Sequence, residues 1–190
     1  MQKLSLPVDL QIYVNPRDQK KAEELLRRCP EILRKAYEKG ARRFANILLQ
    51  IIKRSLATGL PPMGSGVSWP PLSEKTKKVY TSWGYPNAHT WYVIGAMYRR
   101  VGTFSTRGRK QELRVGFPTG VRATHPNKKT RSNLSKRPTL TSLARMLEEG
   151  NNKVPARPLF RPAFKAAGGT DRLSRFIIEE LRKELRKYTR

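Results

Sequence analysis

Apolar residues recur along this chain at two spacings, and each spacing predicts a different element. Over residues 8–14, Val8, Leu10, Ile12 and Val14 alternate with Asp9, Gln11 and Tyr13, the period of a half-buried strand. Asn15-Pro16-Arg17-Asp18 then reads as a helix start, with Asn15 able to cap and Pro16 placed where its missing N–H is harmless. Ala22, Leu25, Leu26 and Cys29 give that helix one apolar face until Pro30, where an interruption is expected. From residue 31 to 57 a helical period resumes through Leu33, Ala36, Tyr37, Phe44, Ile47 and Ile52, predicting a long amphipathic helix that contains Gly40. Gly59 and Pro61-Pro62 end it, and a loop rich in Gly, Pro and Ser follows to Pro71.

Further on, Ser73 is placed to cap a short helix, and residues 89–100 predict a second one carrying Trp91, Ile94 and Met97. Residues 101–106 and 111–117 read as two strands joined at Arg107-Gly108-Arg109. Residues 118–138 show no periodicity and form an extended basic loop, with Arg122, Lys128, Lys129, Arg131, Lys136 and Arg137 and no carboxylate. A helix over 141–149 stops at Gly150, for which a positive φ is expected. Prolines then punctuate residues 154–162, and a last amphipathic helix over 171–188 presents Leu173, Phe176, Ile177, Leu181, Leu185 and Tyr188 on one face. The sum is an α+β fold: a small antiparallel sheet packed on a long N-terminal helix and a C-terminal amphipathic helix. Residues 1–30 form a strand and short-helix extension, and 31–190 form a single domain.

The balance of charge points to the kind of partner. Forty Lys and Arg against fourteen Asp and Glu leave +26 on 190 residues, which favours polyanions or acidic protein surfaces as partners. Neither a signal peptide nor a run of about 20 apolar residues is visible, so no membrane role is expected. The single cysteine, Cys29, cannot form an internal disulfide and reads as a packed thiol in a protein made in a reducing cytoplasm.

Candidate chemistry is sparse. His89 and His125 stand without neighbouring ligands, and the adjacent carboxylates Glu148-Glu149 and Glu179-Glu180 point about 100° apart on a helix. No catalytic, metal or cofactor residue is assigned, and the protein is expected not to be an enzyme. Trp69, Trp83 and Trp91 could stack on bases or serve as core and interface anchors. A sequence-independent nucleic-acid binder using the loop as a phosphate clamp is one reading of the charge.

Two blocks carry a resemblance. Trp69-Pro70-Pro71-Leu72-Ser73-Glu74-Lys75-Thr76, followed by Ile94-Gly95-Ala96-Met97, resembles the "W-x-P-L-S-x-x-T" and "G-x-L/M" pattern of phage tail-completion, or head–tail joining, proteins. Leu147-Glu148-Glu149-Gly150 and the run from Val154-Pro155-Ala156-Arg157-Pro158 through Leu159-Phe160-Arg161-Pro162-Ala163 resemble that family's "hE-x-G … I-P-A-R-P-F-L-R-P-A". The N-terminal extension and the basic loop have no counterpart in that pattern, and the Thr before the Gly of its helix is missing here.

The resemblance implies a structural subunit of the virion neck, made in the host bacterial cytoplasm. It would form a ring of six copies around the DNA channel, between a head-side connector and tail terminator or tail-tube proteins. Genomic DNA in the channel is a further candidate partner. Interface or motif positions would be Trp69, Pro71, Leu72, Gly95, Gly150, Pro155, Arg157, Pro158, Arg161 and Pro162. Between prolines, Arg157 is suited to a bidentate carboxylate contact with a neighbour, so Arg157→Ala would leave the monomer folded and weaken assembly. The same segment could instead serve to return the chain so that the last helix packs on the long one.

Overall fold

A computed structural model describes residues 16–89, 96–106, 112–122 and 138–187. In chain order the elements are α1 (Pro16–Thr58), α2 (Glu74–Ser82), α3 (Ala96–Arg100), β1 (Gly102–Thr106), β2 (Glu112–Gly116), α4 (Leu140–Glu149), α5 (Phe160–Ala166) and α6 (Gly169–Leu185). The architecture is the expected α+β arrangement, mostly helical, with the long first helix as its spine. The strand expected over 8–14 lies outside the described residues, as do half of the helix expected over 89–100 and most of the basic loop.

Pro30 does not interrupt α1, contrary to expectation. The 43-residue helix runs through it, at about 1.5 Å per residue a rod of about 64 Å. Pro30 removes only the N–H that would bond the Leu26 carbonyl, and both residues are exposed, so water can take that carbonyl. On either side, Glu24–Arg28 and Glu31–Lys35 ion pairs at i,i+4 spacing support the flanking turns. Cys29 is half-buried on this helix.

The core forms where the C-terminal half of α1 meets α3, α4 and α5. Ile52, Leu56, Leu140 and Leu159 are fully enclosed there. A second cluster, Phe44, Ala167 and Phe176, joins α1 to α6. These two helices approach closely at Gly40, where a Cβ would lie 2.7 Å from the backbone nitrogen of Ile177. Glycine therefore stands mid-helix because only it permits this packing distance, and the contact offsets its poor helix propensity.

On α6 the expected apolar face is present from Leu173 to Leu185, with Phe176 buried and Tyr188 outside the described residues, but the other buried position is a carboxylate. Glu184 is 6% exposed and accepts from Lys39 Nζ at 2.6 Å and from Lys187 Nζ at 2.8 Å. These ammonium hydrogen bonds hold its pKa down at about 2, against an ordinary 4.5. A further cross-helix pair, Arg43–Glu179 at 2.7 Å, is exposed and contributes little.

The sheet is an antiparallel hairpin in which Thr103 faces Val115, Phe104 faces Arg114 and Ser105 faces Leu113. Alternation sends Leu113 and Val115 to one side, where they meet α1, and Phe104 and Arg114 to the other. A two-stranded ribbon is marginal by itself, and α1 supplies the support it needs. Among the described residues no helix is long and apolar enough to cross a membrane.

Candidate functional site

The two motif blocks, nearly ninety residues apart in sequence, meet in one place. Pro70 and Pro71 hold the chain extended ahead of α2, and their carbonyls point at a single side chain. That side chain is Arg157, 4% exposed, whose Nε donates to the Pro70 carbonyl at 2.9 Å and whose Nη2 donates to the Pro71 carbonyl at 3.0 Å. Nη1 donates to the Pro155 carbonyl at 3.4 Å, and the Arg157 backbone N–H to the Leu147 carbonyl at 2.7 Å. Reciprocally, the indole Nε1 of Trp69 donates to the Pro158 carbonyl at 2.8 Å. Each block thus hydrogen-bonds the other's backbone.

This corrects the expectation for Arg157. Its planar fork finds backbone carbonyls within its own chain rather than a neighbour's carboxylate. Prolines favour that outcome, because fixed φ, and for Pro70 a ψ restricted by the proline after it, leave few competing backbone orientations. Burial pushes the guanidinium down from its ordinary pKa, and burial likewise pushes the nearby Tyr80 phenol up.

Glu148, one of the adjacent carboxylates of the second block, has a role that the sequence does not disclose. Its Oε2 accepts from the backbone N–H of Leu159 at 2.6 Å and of Phe160 at 3.1 Å, and its Oε1 from that of Arg161 at 3.2 Å. These are the leading N–H groups of α5, whose own cap residue, Leu159, offers no side-chain acceptor. Next in line is Pro162, buried and without an N–H to satisfy. A carboxylate from α4 thus caps α5, a helix that the proline-punctuated sequence concealed. The one signal available was Pro162 itself, which suits the first turn of a helix as well as it suits a loop.

Gly150 has the expected positive φ, 72°, and a close neighbour. A Cβ there would lie 2.6 Å from the Ala156 backbone nitrogen. Between the two, Asn151 Oδ1 accepts from Lys153 N at 2.9 Å and Val154 N at 2.8 Å, turning the chain back so that Arg157 can enter.

Of the remaining candidates, Leu72 and Pro158 are half-buried, while Pro71, Pro155 and Arg161 are exposed. Ser73 caps α2 as expected, its Oγ accepting from Thr76 N at 3.2 Å. Arg122 is exposed and forms an isolated antiparallel bridge with Thr139. Gly95, Lys128, Lys129, Arg131, Lys136, Arg137, Trp91 and His125 lie outside the described residues. Trp69 packs against the main core, and Trp83 pairs with Tyr80 at 5.9 Å between ring centroids. The His89 Nε2 lies 3.1 Å from the Ala57 carbonyl near the end of α1, and burial pushes its pKa down. Among the described residues no three His, Cys, Asp or Glu side chains gather as metal ligands would.

Searches of protein-family profiles, characterised proteins and solved structures find no match to this chain.

Proposed function

We propose that this chain is a structural subunit of a tailed-phage neck, a tail-completion protein that acts by closing into a ring between the head-side connector and the tail. What carries the reading is the mutual clamp: the two sequence blocks that resemble this family are physically one unit, with Arg157 holding the Pro70 and Pro71 carbonyls and Trp69 holding that of Pro158. The motif residues that recur together would do so because each supplies the other's hydrogen-bond partner. A ring multiplies modest contacts by effective concentration, so small surfaces suffice once it closes. The excess of +26 suits acidic neighbouring rings or the DNA that crosses the channel.

Native mass spectrometry across a salt series, with electron microscopy of the same sample, tests this. The expected result is a closed ring, alone or with co-expressed neck proteins, with an axial opening wide enough for duplex DNA. A protein that coats duplex DNA as scattered monomers and closes no ring with any neck partner would overturn it. The charge favours that second reading, a sequence-independent nucleic-acid binder. The logarithmic slope of its DNA affinity against salt would then count the phosphates neutralised.

A further inference from the structure

Between α1 and the hairpin lies an apolar groove of about 460 Å³. Tyr37 and Phe44 of α1 form one wall, Leu113 and Val115 of β2 another, and Phe164 and Arg161 of α5 a third. Phe44 and Phe164 meet edge to face at 5.4 Å, so this wall is already packed. Among the described residues β2 has a strand on one side only, β1, so the sheet can be extended along its other edge. A chain laid there with alternating apolar side chains would continue the inner face begun by Leu113 and Val115.

We propose that the groove receives residues 8–14 of a second copy of this chain, added as a third strand along β2. Val8, Leu10, Ile12 and Val14 supply the alternation, with four apolar groups on one side. Charge agrees. Residues 4–16 contain no Lys or Arg and carry only Asp9, so this is a stretch that can approach an Arg161-edged groove without repulsion, although the whole chain stands at +26.

Reach decides which copy supplies the strand. Val8 lies eight residues before Pro16 and, fully extended at about 3.4 Å per residue, gets no further than about 27 Å from it. Tyr37, at the near mouth of the groove, lies twenty-one residues along the helix from Pro16, or about 31 Å, and Phe44 lies at about 42 Å. Folding back along its own α1, the segment falls short of the groove and can cover only the helix around Leu26. For residues 8–14 to fill the groove, they must come from a neighbour. A strand given at one site and received at another is a heterologous contact, which propagates until it closes. Groove and reach alone call for this joint, wherever a ring of such chains is used.

The test mixes two full-length chains in a Cys29→Ser background, one carrying Leu10→Cys and the other, isotopically labelled, Leu113→Cys. A short bismaleimide is added and the products are weighed. The expected main product is a mixed-mass dimer, and a Leu10→Asp/Ile12→Asp chain should run as a monomer with unchanged helical circular dichroism. Absence of the mixed dimer, with Leu10→Cys instead linking to Leu26→Cys inside one chain, would overturn the exchange. Rings that persist in that case, or in the Leu10→Asp/Ile12→Asp chain, would sink this joint while leaving the ring itself standing.

Discussion

Removing the Arg157 side chain would leave the carbonyls of Pro70, Pro71 and Pro155 converging on a cavity with no donor. Hydrogen bonds to a charged donor contribute about 1.5–3 kcal/mol each, and a stranded buried acceptor costs about 1–3 kcal/mol. Arg157→Ala is therefore expected to lower unfolding stability by about 2–4 kcal/mol in urea titrations, rather than to leave a stable monomer. Arg157→Lys should recover only part of the loss, since an ammonium cannot span the Pro70 and Pro71 carbonyls in a plane. Equal stability of the Ala and Lys variants would show that the fork geometry is immaterial. At this scale the sequence named the important positions without naming their partners. Arg157, Trp69 and Gly150 stand out in the motifs, yet the groups that Arg157 and Trp69 meet are backbone carbonyls, which leave no mark on residue identity. Glu148 was hidden for the same reason, because its three partners are backbone N–H groups.

Among the elements, the helices were readable wherever a 3.6-residue period ran long enough, as in α1, α4 and α6. Two misreadings share one cause. Pro30 looked like an interruption and Pro162 like part of a loop because proline is a strong local signal, while the packing that outweighs it is not local. Gly40 makes the opposite point. By propensity alone, Gly40→Ala should stabilise α1 by about 1 kcal/mol. Against α6, a Cβ 2.7 Å from Ile177 N and 2.8 Å from its Cα meets backbone, which cannot swing aside. The sign should therefore reverse, to a net loss of about 1–3 kcal/mol from overpacking, read as a lower denaturation midpoint. An unchanged or higher midpoint would mean that α6 shifts at no cost.

For the molecule as a whole, the sum of charges and the fold class were legible, and the joining of distant segments was not. Nothing in residues 39, 184 and 187 taken singly announces a buried carboxylate between two ammonium groups. Its effect on stability has a definite sign. The pKa of Glu184 in the folded protein, about 2, lies below its ordinary 4.5, so its contribution is complete above about pH 4.5 and lost as pH falls toward 2. The melting temperature of the native protein should thus drop across that window more steeply than that of Glu184→Gln. Parallel curves for the two proteins would remove Glu184 from the acid response.

The clamp between the two motif blocks bears also on how the protein opens. Residues 69–71 and 147–161 hold each other's backbone, so neither can loosen without releasing the other, however far apart they lie along the chain. The Arg157 amide and the Trp69 indole N–H should exchange with solvent as a single cooperative unit, with matching opening free energies, while α2, with no buried residue, exchanges sooner. Distinct exchange energies for the Arg157 amide and the Trp69 indole N–H would show that the halves breathe separately. Under mechanical load, such a unit would yield all at once rather than fray.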